Sequence, residues 1–190
     1  MTALVDMLDE AAEGFGGLVR TVAPGQWRLP TPCPDFTALA VVEHVVESLT
    51  QYADLVNINR FDPDVTVKLA DTDVFAAYRA AAVRTISVWS RDGVIAAEHP
   101  MPWGLMPGRD LFGYLVLEHV VHGWDLATTT RQHIPFSYEL VRAVDAIARD
   151  HSEQVLRQPY MFAAQVQVPG DAPLLDRLIG FLGRKTSAVD

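Results

Sequence analysis

Leu115-Val116-Leu117-Glu118-His119-Val120-Val121-His122-Gly123-Trp124-Asp125-Leu126-Ala127 reads as a buried helix with ionisable groups on its inner side. At about 100° per residue, positions four apart return to within about 40° of each other, so Glu118 and His122 share a face. Asp125, seven residues after Glu118, lands on that face as well. Its remaining members are Leu111, Tyr114, Leu115 and Val121. Two carboxylates and an imidazole on an apolar face need partners, because uncompensated buried charge is costly. A divalent metal would satisfy all three. The alternative is a simple intrahelical pair between Glu118 and His122.

Five more helices are expected in the chain. Residues 2–22 place Leu4, Leu8, Ala11, Phe15, Leu18 and Val22 at three- and four-residue spacing. A proline-rich loop follows. Thr37 then caps a helix over about 37–56, built on Val42, Val45, Val46 and Leu49. Residues 57–70 are polar and irregular. Asp71 or Asp73 starts a third helix, about 72–91, with Phe75, Tyr78, Ala82, Ile86 and Trp89 inside and Asp92-Gly93 at its end. Residues 94–108 form a long, partly extended connection. The opening helix spans about 109–131, and a fifth, about 137–157, has Ser137 as its cap and Glu139 in its first turn. After Pro159, the alternation over 163–168 predicts a short strand, and 173–182 a last helix closed by Gly183. The expected fold is mainly all-α: a four-helix bundle with an additional helix and a short C-terminal strand and helix segment, in one domain over 1–190.

Composition narrows the function. The chain has 190 residues, 49% of them hydrophobic, with a formal net charge of −9 and no basic block. Nucleic acid and anionic membrane surfaces are therefore not the expected partners. No stretch reaches the ~18 apolar residues of a membrane span, and the N-terminus lacks the basic and apolar regions of a secretory signal. Cys33 is the single cysteine, so no intrachain disulfide is expected and a cytoplasmic location follows. A homodimer is the default assembly, because symmetric dimers are common.

The candidate third ligand is His44, at the border of the apolar stripe of the second helix. Its own face runs through Ala40, Ser48 and Gln51, small or polar residues suited to a cavity wall. His44, Glu118 and His122 would offer two imidazoles and one carboxylate, a set that suits zinc and also nickel, iron or cobalt. Three protein ligands leave a position open, and the net positive centre favours a thiolate or hydroxide. Asp125 is better placed to orient a liganding imidazole than to bind the metal itself. His119 lies about 100° round the helix and should miss the metal. His99, His133 and His151 sit in polar sequence and are expected on the surface. Cys33 reads as a buried, inert thiol, with approach to the site from its loop as the alternative. Arg79 and Arg84, on the third helix, are the candidates for binding an anionic substrate, against the alternative of solvated arginines. No glycine-rich phosphate loop or nucleophile elbow occurs.

Three blocks carry a family resemblance: Pro30-Thr31-Pro32-Cys33-Pro34-Asp35-Phe36 with His44 following; Glu118-x-x-x-His122-Gly123-Trp124-Asp125-Leu126-Ala127; and Val166-Gln167-Val168-Pro169-Gly170-Asp171-Ala172-Pro173, followed by Asp176-Arg177-Leu178 and Leu182-Gly183-Arg184. In order and spacing they resemble actinobacterial metal-binding proteins related to the N-terminal domain of the mycothiol-dependent maleylpyruvate isomerase, within the wider DinB/YfiT-like group. The resemblance implies a DinB-like four-helix bundle that holds a metal through His44, Glu118 and His122. It further implies a metal-activated thiol, mycothiol or similar, that adds to a small electrophile in an isomerase or S-transferase reaction. A non-enzymatic metal-binding or sensing module on the same fold is the alternative.

Overall fold

A computed structural model describes residues 2–150 and 162–186. They fall into two units, 1–135 and 136–190. The first holds helix α1 (Thr2–Thr21), α2 (Ala38–Ile58), α3 (Val74–Trp89), strands β1 (Glu98–Met101) and β2 (Gly104–Pro107), and α4 (Gly108–Thr130).

The helix starts follow the predicted caps. Thr37 Oγ1 accepts the Ala40 N–H at 3.2 Å, and the Asp73 carboxylate accepts the Ala76 N–H at 3.0 Å, each satisfying a donor that the first turn leaves over. Asn59 and Arg131 close α2 and α4 in the left-handed region, at φ 55° and 58°. In the principal pairings, α1 packs on α3 and α4, and α2 packs on α3 and α4. Thus α1 lies diagonal to α2 and α3 diagonal to α4, and the chain crosses the bundle in both intervening connections. The core is mainly apolar: Leu8, Phe15, Val42, Leu49, Trp89, Phe112, Leu115 and Leu126 are fully buried. The irregular 59–73 segment is tied to α2 by carboxylates. Glu47 accepts the Val67 N–H at 2.9 Å and Glu43 the Leu69 N–H at 2.8 Å.

The extended part of the 94–108 connection is a two-stranded antiparallel hairpin, pairing Glu98 with Pro107 and Met101 with Gly104. Gly108 starts α4 directly after it. Its N–H donates to Ala97 O at 2.7 Å. A Cβ at this position would meet Val94 O at 2.6 Å and Ala97 O at 3.0 Å. These are backbone atoms that cannot swing away. Gly108→Ala is accordingly expected to cost about 1–3 kcal/mol of stability, measured as a lowered urea midpoint.

The second unit holds α5 (Tyr138–Asp150) and α6 (Leu174–Phe181). Ser137 Oγ accepts the Leu140 N–H at 3.1 Å, as its predicted role as cap requires. The predicted end of this helix, with His151, lies outside the described residues. Gly183, at φ +84°, ends α6. The strand expected over 163–168 does not form among the described residues. That segment runs extended and makes one bond, Val166 N–H to Gly180 O at 2.9 Å, to the end of a helix. Alternation there reflects contact with a helix, not pairing in a ladder.

No described helix is long and apolar enough to cross a membrane.

Candidate metal centre

The α2–α4 seam gathers the ionisable groups. His44, Ser48 and Tyr52 stand four residues apart on α2. Tyr114, Glu118 and His122 stand four apart on α4. His44 Nε2 lies 3.4 Å from Glu118 Oε1, and the Ser48 hydroxyl donates to the same oxygen at 3.1 Å. The His44 and His122 rings meet nearly edge to face, with centroids 5.1 Å apart. The structure therefore brings together His44, Glu118 and His122, the three residues singled out from the sequence.

Asp125 lies one turn beyond His122 and is fully buried. Its Oδ2 is 3.1 Å from His122 Nδ1. A proton on Nδ1 donated to this carboxylate leaves Nε2 as the coordinating atom of His122.

Burial would raise the Glu118 carboxyl, but the His44 hydrogen bond, the positive character of His44 and His122, and the Ser48 hydroxyl outweigh it. The group sits below the ordinary glutamate value and is a carboxylate at neutral pH. Its second oxygen, Oε2, is buried and has no hydrogen-bond partner among the described residues. Tyr52 is pushed above the ordinary phenol range by burial, then by the charge of Glu118 and by Tyr114. Tyr114 is raised by burial and by Asp110. Both hydroxyls therefore stay protonated.

The loop before α2 closes one side. Phe36 stands over both imidazoles, its ring 5.5 Å from His44 and 6.4 Å from His122. Cys33 is half-buried, not buried as the sequence suggested. Its sulfur, a ring nitrogen of His122 and a carboxylate oxygen of Asp125 lie within 4.8 Å of one another. The loop's course over α4 sets this placement, and no local sequence pattern reports it. Ser48 and Tyr52 had a legible signal in their four-residue spacing from His44.

The remaining candidates lie elsewhere. Arg84 is paired with Asp54 of α2, and Arg79 is exposed on α3. Neither joins the cluster. His119 is fully buried beside Phe15 and Tyr78, with Nδ1–H donating to Leu115 O at 2.7 Å. Burial holds its pKa below the ordinary histidine value. It faces away from the seam, as its angular position required. His133 is exposed as expected. His99 is buried instead, because the hairpin turns its ring onto Trp89 and its Nε2 pairs with Val94 O at 2.8 Å. Polar sequence neighbours do not reveal a fold-back of that kind.

Known proteins resemble this chain in sequence and in fold. Residues 8–127 match the family described as the mycothiol maleylpyruvate isomerase N-terminal domain. Two uncharacterised proteins, from two strains of Mycobacterium tuberculosis, are each 31% identical to this chain over 176 residues, covering 92% of it and 93% of the relative. The crystal structure of a DinB-like protein from Bacillus subtilis matches with a TM-score of 0.58 at 14% identity. The match covers 70% of this chain and 96% of that one. The last likeness is one of fold.

Proposed function

This chain belongs to the mycothiol maleylpyruvate isomerase N-terminal domain family, and from that premise we propose that it is a metal- and thiol-dependent enzyme, an isomerase or S-transferase acting on a small electrophile. His44, Glu118 and His122 would hold a divalent ion, zinc first and nickel second. Mycothiol or a similar low-molecular-weight thiol would be the cosubstrate, in the cytoplasm.

One observation carries the reading. Glu118 Oε2 is a buried carboxylate oxygen without a hydrogen-bond partner among the described residues, on a group that its neighbours keep ionised. Such an acceptor is expensive to bury unless a cation answers it. Two imidazoles flank it, a donor set that suits zinc. A bound divalent ion would supply Lewis acidity, under which a coordinating thiol loses its proton.

The protein's own groups have separate tasks. Asp125 fixes the His122 tautomer and ring. The Ser48 hydroxyl holds Glu118 Oε1 and orients the carboxylate. Tyr52 and Tyr114, protonated at neutral pH, offer O–H donors to an anionic substrate. Phe36 packs beside both imidazoles.

The experiment is a calorimetric titration of the zinc-loaded and the chelator-treated chain with mycothiol. Thiol binding to the zinc-loaded chain that vanishes after chelation is the expected result. Equal binding with and without metal would overturn the thiol role. Metal bound with no thiol response would favour a metal-binding or sensing module.

A further inference from the structure

Cys33 is placed by a tight turn. Pro34 and Asp35 occupy its corners, with Asp35 in the left-handed region at φ 66°. The Phe36 N–H donates back to Cys33 O at 3.2 Å, which is the pattern of a type II turn. The Thr31 hydroxyl bonds the same carbonyl at 3.1 Å, and the Thr31 N–H bonds Phe36 O at 2.9 Å. The loop is then anchored to the start of α2 by Ala38 N–H to Leu29 O and Leu39 N–H to Trp27 O, both at 3.0 Å. These bonds hold the Cys33 backbone in one position, next to His122 and Asp125.

His122 therefore belongs to two groupings of ligand-type side chains. One is His44, Glu118 and His122. The other is Cys33, His122 and Asp125, whose ligand-type atoms lie within 4.8 Å of one another, with His122 and Asp125 buried. A dication held by two neutral imidazoles and one carboxylate keeps one positive charge. A thiolate would cancel it, and thiolate is a preferred ligand of zinc.

We infer that Cys33 supplies its thiolate to a metal held at His122, as a built-in ligand at the position an external thiol would take. This rests on the metal-centre reading above. An incoming thiol would exchange with Cys33, its proton passing to the Cys33 sulfur, with no change of oxidation state. The metal-loaded chain without external thiol would then be a resting form in which its own sulfur covers the reactive position.

The test uses cobalt(II) added to the metal-free full-length chain. Visible ligand-field absorption reports cobalt binding, and near-ultraviolet charge-transfer absorption reports a thiolate on the cobalt. The wild type should show both signals without added thiol. C33S and C33A, checked by circular dichroism, should keep the visible signal and lose the near-ultraviolet one. Added N-acetylcysteine should restore it. Cys33 is the chain's one cysteine, so no other internal thiolate can supply the band. Cobalt bound to the wild type without the near-ultraviolet band, or a band that persists in C33S, would overturn the Cys33 assignment and leave the metal centre standing. Cobalt bound by no variant, or equally well by His122→Ala, would overturn the metal centre itself. A second measurement needs no variant: the rate of Cys33 alkylation by iodoacetamide should fall at least tenfold on adding zinc. An unchanged rate would overturn the assignment.

Discussion

Replacing His122 with alanine is expected to strip the protein of bound metal. His122 stands beside His44, which meets Glu118, and also beside Cys33 and Asp125, and Asp125 holds its ring. Loss of a group that only orients a ligand already costs about 10–100-fold in metal affinity. Removal of the ligand itself should exceed about 100-fold, taking a near-stoichiometric metal content to background. Elemental mass spectrometry on tag-free wild type and His122→Ala, each reconstituted with zinc and dialysed, reads this directly. Asp125→Asn gives an internal scale, because it should fall between the two. Equal metal in wild type and His122→Ala would refute the assignment of the centre to this seam.

The second large effect is on stability. Trp89→Ala should destabilise the protein by about 3–5 kcal/mol, the usual range for emptying a buried aromatic site. Trp89 is fully buried, and its ring lies 5.7 Å from Phe112 and 5.2 Å from His99. Its indole N–H donates to Tyr52 O at 3.1 Å. One side chain thus ties α3 to α2, to α4 and to the hairpin. Against a total stability of about 5–15 kcal/mol, the loss is a large fraction, visible as a drop in urea midpoint. A shift of the size expected for a surface substitution would show that Trp89 is not the keystone described. Because Tyr52 stands in the same contact, this variant should also loosen Tyr52 at the site.

The two changes act on parts of the chain that were unequally legible. The helices announced themselves through a 3.6-residue period and through Thr37, Asp73 and Ser137, each a side-chain acceptor beside a run of apolar positions. Glu118 and His122 were legible for the same reason, since helical spacing fixes relative direction. His44 was legible as a histidine on a small, polar face. What escaped depended on chain segments that meet only in three dimensions. Cys33 lies in a turn whose shape can be read locally but whose position over α4 cannot. His99 was misplaced because a hairpin returns it to Trp89. The alternation at 163–168 was real, but an extended segment lying on a helix alternates as a strand does.

The diagonal crossings of the bundle bear on the order of folding. The α2–α4 seam joins residues as far apart in sequence as Ser48 and Glu118, a separation of 70. No short connection helps close it, since α2 and α4 are not consecutive. Contacts of that separation pay a large loop-closure entropy and tend to form late. An ion gathered by the seam would then act on a step after the main barrier. It should lengthen the unfolding half-life in denaturant and leave the refolding rate nearly unchanged. Stopped-flow chevrons with and without zinc would show one arm moving and the other still. For the cell, such a protein would be slow to come apart once loaded, and no quicker to assemble.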